Sequence, residues 1–123
     1  MKFCLLVEQS DVIRKIAKHI LEDENYLVIE AADSKSALEV VKRGAPDLIL
    51  LDWQVQGPGA LEFLAQIQPL LDENKPTRVL YCTTENDPVA ISKAIGTGAT
   101  DVLMKPFNRQ SFLTKLTSHA LAA

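Results

Sequence analysis

Four apolar residues in a row, Leu48 to Leu51, end in the acid Asp52, and Trp53 follows. An unbroken apolar run of this length is typical of a strand that is covered on both faces, as in a parallel sheet with helices on each side. In open α/β sheets, ligands bind and chemistry takes place at the carboxyl ends of the strands. We therefore expect Asp52 to be the reactive group of this chain.

Five apolar runs alternate along the chain with five helix-like segments. Strands are expected over residues 3–7, 26–29, 47–51, 78–82 and 102–104. Polar residues or a proline that can begin a helix precede four of the five helix-like segments: Ser10-Asp11, Asp33-Ser34, Asp87-Pro88 and Asn108. A further helix is expected after Ala60. Strict strand–helix alternation predicts a doubly wound α/β fold, in which helices cover both faces of a parallel sheet.

The periodicity also assigns helix ends and faces. Gly44 is expected to end the second helix, and Gly96 and Gly98 the fourth. Apolar residues of the first and fourth helices recur at the spacing of one buried face, so most of them are assigned to the core. No interface patch is expected on these two helices.

Length and composition exclude several classes of protein. The 123 residues, 47% hydrophobic and 24% charged, are those of a single globular domain over residues 1–123. A net charge of -3 with both signs spread along the chain gives no basic surface for nucleic acid. No apolar run approaches the roughly 20 residues that span a bilayer, so no membrane contact is expected. Cys4 and Cys82 lie within apolar runs and are expected to be buried free thiols of a cytoplasmic protein.

The residues that follow the strands carry the chemistry. Because parallel strands all end at the same edge of a sheet, we expect a cluster there of Glu8, Gln9, Asp52, Thr83 and Lys105. A carboxylate can attack a phosphoryl group and form an aspartyl phosphate, a reaction that depends on positioning and on neutralised charge. Asp52 and Glu8 would hold a divalent cation on one side, with the Lys105 ammonium on the other and the Thr83 hydroxyl donating to a phosphoryl oxygen. Mg²⁺ fits such a site, because it prefers a few carboxylates with phosphate and water oxygens.

Taken in order, Glu8, Asp52, Thr83 and Lys105-Pro106-Phe107 resemble the receiver domain of bacterial two-component response regulators, and the resemblance runs essentially from end to end. It implies a five-stranded sheet of order 2-1-3-4-5 with five helices. It also implies a signalling domain rather than an enzyme, in which Asp52 is phosphorylated by a histidine kinase or phosphotransfer protein. The family further supplies a metal ligand from the backbone carbonyl of Gln54 and typically has a cis peptide between Lys105 and Pro106.

The chain departs from the family at the first strand, where two adjacent acids are usual and the second binds the metal directly. Here the pair is Glu8-Gln9, and Gln9 offers only a neutral carbonyl oxygen. Losing one unit charge beside a dication costs about a few kcal/mol at an effective dielectric constant near 20. Mg²⁺ affinity is therefore expected to fall roughly ten- to a thousand-fold, with the longer Glu8 side chain partly compensating. A second departure is Val102, where the family usually has an aromatic residue whose movement reports phosphorylation.

Two functions remain open on this basis. The first is a phospho-accepting switch similar to the single-domain, chemotaxis-type regulators, which Cys82 to Asp87 and Met104 to Phe107 most resemble. Only 17 residues follow Pro106, so we expect output through contact with another protein, still unknown. The alternative is a pseudo-receiver, an interaction module that phosphate does not switch. Gln9 and Val102 favour this alternative.

Retention of Asp52, Thr83 and Lys105 together favours the switch, because a scaffold has no physical need for all three. A nucleotide-binding domain of similar fold is disfavoured. The turn from Glu8 to Asp11 has no glycine that would let the backbone approach a phosphate group.

Overall fold

The computed structural model describes residues 1–122, with side chains described through Thr117, and Ala123 of the expected domain lies outside this range. The strands are β1 Lys2–Val7, β2 Tyr26–Ala31, β3 Leu48–Asp52, β4 Arg78–Thr83 and β5 Asp101–Met104. The helices are α1 Asp11–Asp23, α2 Ser34–Arg43, α3 Ala60–Ile67, α4 Pro88–Thr97 and α5 Arg109–Ala122, and a short 3₁₀ turn, Gln68–Leu70, follows α3. None of the described helices is long and apolar enough to cross a membrane.

The five strands form one parallel sheet in the order β2-β1-β3-β4-β5. The doubly wound fold and its strand order are therefore confirmed. In this register Val7 pairs with Leu51, and Asp52 pairs with Cys82. The ends of β1, β3 and β4 thus lie side by side at the carboxyl edge of the sheet.

The hydrophobic core has two halves, one on each face of the sheet. The α2–α4 core lies under helices α2, α3 and α4, and its buried members include Leu5, Val7, Ile49, Leu51, Phe63, Leu64, Ile67 and Ala94. The α1–α5 core lies under α1 and α5 and includes Cys4, Leu6, Ala17, Ile20, Leu21, Leu50 and Phe112. Consecutive residues of β3 alternate between the two halves, and all five of them are buried. This double burial explains the unbroken apolar run in the sequence.

The predicted helix starts are confirmed by their capping bonds. A side-chain oxygen before each of four helices accepts a hydrogen bond from a backbone N–H in the first turn. The pairs are Ser10 with Ile13 at 3.3 Å, Asp33 with Ser36 at 2.7 Å, Asp87 with Val89 at 3.0 Å and Asn108 with Ser111 at 2.8 Å. Each cap fixes how the preceding loop leaves the carboxyl edge of the sheet.

The prediction of where α4 ends was wrong in part. Gly96 lies inside the helix, and Gly98 alone ends it. The Gly98 N–H donates to the Ala94 carbonyl, and its φ of 133° is one that residues with a side chain rarely adopt. A glycine inside a helix costs only about 1 kcal/mol relative to alanine, so Gly96 does not stop the helix.

The expectation that α1 and α4 leave no apolar surface was also wrong. Val12 and Ile16 of α1 are 67% and 50% exposed, and Val89 and Ile95 of α4 are 63% and 46% exposed. Only one side of each helix meets the sheet, and the apolar residues of both helices extend beyond that side. Met104 of β5 is 39% exposed, and β5 is an edge strand.

Candidate functional site

The carboxyl edge of the sheet brings together the Glu8, Asp52 and Lys105 side chains. Glu8 directly follows β1 and Asp52 ends β3, and both are almost fully buried. Lys105 directly follows β5, and its Nζ atom lies 2.5 Å from Glu8 Oε1 and 3.0 Å from Asp52 Oδ1. One ammonium thus bridges two carboxylates. The strand-end pattern predicted that these three side chains lie close together.

The two oxygens of Asp52 have different surroundings. Oδ1 accepts hydrogen bonds from Lys105 Nζ and from the Gln54 backbone N–H, the second at 3.3 Å. Oδ2 accepts none from a described group and is not fully enclosed, although only 2% of the Asp52 side chain is exposed. Asp52 therefore presents one anchored oxygen and one that is free to react.

Glu8 is held at both of its carboxylate oxygens. Oε1 contacts Lys105 Nζ, and Oε2 accepts a hydrogen bond from the Ser10 backbone N–H at 3.0 Å. Burial raises the pKa of Glu8 above its ordinary value, and the bonds from Lys105 and Ser10 only partly offset this. Burial alone would lower the pKa of Lys105, but its bonds to Glu8 and Asp52 outweigh that effect and raise its pKa. Lys105 therefore carries a full positive charge at neutral pH.

Thr83 ends β4 beside this cluster and is buried. Its hydroxyl oxygen accepts a hydrogen bond from the Glu85 N–H at 2.9 Å, and the hydroxyl donates to no described group. Its carbonyl accepts from the Lys105 N–H at 2.9 Å, which ties the end of β5 to β4. The peptide between Lys105 and Pro106 is cis, as the resemblance implied. The Thr83 hydroxyl proton is thus available to a ligand at this edge.

The two glutamines of the predicted metal site are placed differently from the acids. The side chains of Gln9 and Gln54 are both exposed, and neither forms a hydrogen bond with a described residue. For Gln54 the predicted ligand is the backbone carbonyl and not this side chain. No group of three or more His, Cys, Asp or Glu residues that could hold a metal ion occurs in the described part of the chain. The oxygens of Asp52 and Glu8 are nevertheless of the kind that Mg²⁺ prefers. These two carboxylates would hold the ion, and ligation by Gln54 and Gln9 stays a prediction.

Sequence analysis missed two residues that shape the loops around the site. Arg14 of α1 donates to the Glu8 carbonyl at 2.9 Å and forms ion pairs with Asp11 and Glu30. Ser34 of α2 is buried, and its backbone N–H and hydroxyl both donate to the Gln56 carbonyl, at 2.9 Å and 3.0 Å. A basic residue one turn into the helix after a strand-end acid was the available signal for Arg14. No signal in the sequence links Ser34 to a loop 22 residues away.

The aromatic residue that the family usually carries on the last strand is absent here, and a tyrosine occupies the neighbouring strand. Val102 of β5 pairs in register with Tyr81 of β4. Both residues pack on the α2–α4 core, and Tyr81 is almost fully buried. Burial and, secondarily, the charge of Asp52 raise the pKa of the Tyr81 hydroxyl. At this position of the sheet the aromatic side chain is therefore carried by β4 and not by β5.

A doubly wound parallel sheet with two acids, a hydroxyl and a lysine at its carboxyl edge is the architecture of a phospho-accepting signalling domain. The chain belongs to the response regulator receiver domain family, whose model matches residues 4–117. Receiver domains are signalling domains of two-component systems and are phosphorylated by kinase or phosphotransfer partners.

Individual relatives agree with this assignment. The chain is similar to the structure of the chemotaxis response regulator CheY4 of Vibrio cholerae, with 32% identity and a TM-score of 0.85 over 96% of this chain and 98% of that one. It is 31% identical to sporulation initiation phosphotransferase F of Bacillus subtilis, over 85% of this chain and 82% of that protein. It is also 31% identical to the phosphate regulon regulator PhoB of Klebsiella pneumoniae, over 91% of this chain. The chain spans about half the length of that regulator, 48%.

Proposed function

We propose that this domain accepts a phosphoryl group on Asp52 from a histidine kinase or phosphotransfer protein and signals by contact with another protein. The observation that carries the proposal is the asymmetric environment of the Asp52 carboxylate. Lys105 and the Gln54 N–H hold Oδ1, and Oδ2 is free and touches solvent. A carboxylate that is fixed at one oxygen and open at the other is oriented for nucleophilic attack.

In the proposed reaction, Asp52 Oδ2 attacks the phosphorus atom of a phosphohistidine. A P–O bond forms and the P–N bond breaks, and the electron pair of that bond leaves with the imidazole, so the product is an acyl phosphate on Asp52. Negative charge is spread over the three phosphoryl oxygens during transfer. The Lys105 ammonium and the Thr83 hydroxyl are the groups of this chain that can stabilise that charge.

Mg²⁺, when bound, neutralises charge on the phosphoryl group and orients it. The residues that would hold the ion are Asp52 and Glu8, with the Gln54 backbone carbonyl and the Gln9 side-chain oxygen as weaker candidates. We propose that binding is weak, because the site has two carboxylates and Lys105 already neutralises one of their charges. The exposed position of Gln9 supports this proposal.

The surface beside the site supports docking of a phosphodonor protein. Ile13 and Ile16 of α1, together with Lys105, Pro106 and Phe107, line a small groove of about 140 Å³. The exposed Ile16 side chain continues this apolar surface away from the site. Because Lys105 lies in both the groove and the acidic cluster, a partner seated there would reach Asp52. This surface is the proposed entry for the phosphoryl group.

A pseudo-receiver is the second candidate, favoured by one observation. Lys105 satisfies both carboxylates of the site without any added cation. A domain of this kind would keep the fold and bind partners without responding to phosphate. The free Asp52 Oδ2 and the unused Thr83 hydroxyl proton favour the switch over this candidate.

The deciding experiment measures the intact mass of the protein after incubation with phosphoramidate and Mg²⁺. We expect one phosphoryl group per chain, absent in Asp52→Asn and retained in Asp72→Asn, a matched change of an exposed acid. Beryllofluoride with Mg²⁺ should also change the fluorescence of Trp53, which adjoins Asp52 and is half-buried. An unmodified wild-type mass, with no fluorescence response and the fold intact by circular dichroism, would establish the pseudo-receiver instead.

We also propose a cytoplasmic location for the domain. Cys4 and Cys82 are both free and buried, and burial raises the pKa of both thiols well above the usual range. Free thiols of this kind are typical of reducing compartments.

A further inference from the structure

The loop after Asp52 is held at its far end by one residue of α2. The backbone N–H and the hydroxyl of Ser34 both donate to the Gln56 carbonyl, at 2.9 Å and 3.0 Å, and only 1% of Ser34 is exposed. Asp33 already caps α2 through the Ser36 N–H, so the Ser34 hydroxyl is not needed to begin the helix. One N–H would also satisfy the carbonyl. The hydroxyl is therefore a second, additional bond to the loop.

The loop is shaped to receive this hydroxyl. Gly57 has a φ of 92°, and a Cβ atom at position 57 would lie 2.7 Å from Ser34 Oγ. Real Cβ contacts are longer than this, so a side chain at position 57 would displace the hydroxyl. Asp33 and Gln56 also form an isolated parallel bridge at this point. The start of α2 and the end of the loop thus fit each other closely, with a glycine on one side and a small hydroxyl side chain on the other.

The same loop orients the Asp52 carboxylate. The Gln54 N–H donates to Asp52 Oδ1 at 3.3 Å, and the Val55 N–H donates to the Asp52 carbonyl at 3.2 Å. Val55 is buried in the α2–α4 core, and Gln56 follows it directly. The two peptide groups that contact Asp52 therefore lie between Asp52 and the bonds from Ser34. A loop that shifts at Gln56 also turns these two N–H groups.

We propose that Ser34 is a positioning residue of the phosphorylation site, which acts through Gln56 on the peptide groups that orient the Asp52 carboxylate. This inference rests on the proposed function, since it assigns a further residue to the reaction at Asp52. Ser34 takes no direct part in that reaction, because its hydroxyl is bonded to the loop. Its effect is on geometry: nucleophilic attack depends on a fixed approach, and a loosened loop holds Asp52 in that orientation for less of the time.

The test compares Ser34→Ala with a matched control, Thr77→Val. Each change removes one hydroxyl that donates to a backbone carbonyl, and Thr77 donates to Pro46 at the opposite, amino edge of the sheet. Phosphorylation by phosphoramidate with Mg²⁺ is followed over time by intact mass. Ser34→Ala is expected to react about three- to tenfold more slowly than wild type, and Thr77→Val to stay within about twofold. Equal rates in the two variants would overturn the proposal.

Amide hydrogen exchange at Gln54 and Val55, measured without metal or phosphodonor, separates positioning from overall stability. Exchange is expected to be at least about threefold faster in Ser34→Ala than in Thr77→Val, because only the first change loosens the loop locally. Equal exchange in the two variants would show that only overall stability has changed, and would overturn the proposal. A wild-type chain that accepts no phosphate contradicts the proposed function, and the exchange rates still test the role of Ser34 in the loop.

Gly57→Ala tests the same contact from the loop side and covers the case in which Ser34→Ala does not fold. Alone, it is expected to speed exchange of the Val55 N–H, since the added methyl group displaces the Ser34 hydroxyl. In the Ser34→Ala background the methyl group has room, so the double variant is expected to show less than the product of the two single effects. The strain of the positive φ is present in both backgrounds and cancels in this comparison. Unchanged exchange in Gly57→Ala, or effects that simply multiply, would overturn the proposal.

Discussion

Arg14 does not belong to the acidic cluster, but it contacts several groups around the site. Its guanidinium donates to the Glu8 carbonyl and pairs with Asp11, and its Nε atom lies 3.4 Å from a Glu30 carboxylate oxygen. It thereby joins the loop after β1 to α1 and to β2. A lysine has its three N–H donors on one nitrogen and lacks the guanidinium's donors spread over three nitrogens. Arg14 thus fixes the backbone that carries Glu8.

We predict that Arg14→Lys lowers the free energy of unfolding by about 1–2 kcal/mol, because hydrogen bonds of a mostly buried charged group are lost. Urea unfolding followed by circular dichroism measures the change. Arg43→Lys is the control, since Arg43 is exposed and forms no ion pair or side-chain hydrogen bond with the residues that the structure describes. If the two variants lose the same stability, the contacts of Arg14 do not matter to the fold.

At the same scale, the sequence located the groups that the sheet brings together at its carboxyl edge, but not all of the residues that support them. Asp52, Thr83 and Lys105 follow or end apolar strands, and a parallel sheet brings such residues together whatever their separation in the chain. Gln9 shares that position in the sequence, yet its side chain points into solvent because neighbouring residues alternate in direction after a strand. For the bond from Arg14 to the Glu8 carbonyl, the sequence signal is a basic residue one turn into α1, and that signal does not name the acceptor. The acceptor depends on how α1 packs against β2.

At the scale of elements, two adjacent side chains at the start of α2 fix the helix and a loop. Asp33 Oδ1 accepts a hydrogen bond from the Ser36 N–H at 2.7 Å. This bond to the backbone lowers the pKa of Asp33 below its ordinary value of 3.8. The next residue, Ser34, holds the loop after β3 through the Gln56 carbonyl. Loss of the cap would therefore reach the loop that follows Asp52.

We predict that Asp33→Asn keeps the cap and removes its pH dependence. Because the folded pKa of Asp33 is depressed, its charge stabilises the fold above about pH 3.8, and this contribution is lost as the pH falls through the folded pKa. The difference in unfolding free energy between wild type and Asp33→Asn should stay constant in the neutral range and then shift against wild type on acidification. Urea unfolding of both proteins across this range measures it. A difference that moves in favour of wild type at acid pH would contradict the assignment.

The elements themselves were largely predictable, because each begins or ends at a residue with a local reason to do so. The caps at Ser10, Asp33, Asp87 and Asn108 are local hydrogen bonds that a sequence pattern can reveal. The continuation of α4 through Gly96 and the exposure of Val89 were not predictable in this way. A glycine in a helix costs too little to mark a boundary, and an apolar periodicity does not state how wide the side of α4 that meets the sheet is.

At the scale of the whole molecule, the sheet separates two halves of the core that share β3. Ile67 is fully buried in the α2–α4 core, and Ile20 is 4% exposed in the α1–α5 core. Neither residue belongs to the cluster of the other. The halves are connected through the backbone of the sheet, since alternate side chains of β3 enter each one.

We predict that Ile20→Val and Ile67→Val each lower the free energy of unfolding by about 0.5–1.5 kcal/mol, through loss of one buried methylene group. The double variant should lose the sum of the two to within about 0.5 kcal/mol, since the sheet lies between the sites and they share no cavity. Urea unfolding of the wild type, the two single variants and the double variant measures the three changes in free energy. The comparison requires that each protein unfolds in a single transition that coincides by fluorescence and circular dichroism. A second pair, Leu64→Val and Ile67→Val singly and together, is the contrast, because both residues lie in the α2–α4 core and non-additivity is expected there. Coupling across the sheet as large as coupling within one half would mean that the two faces repack together.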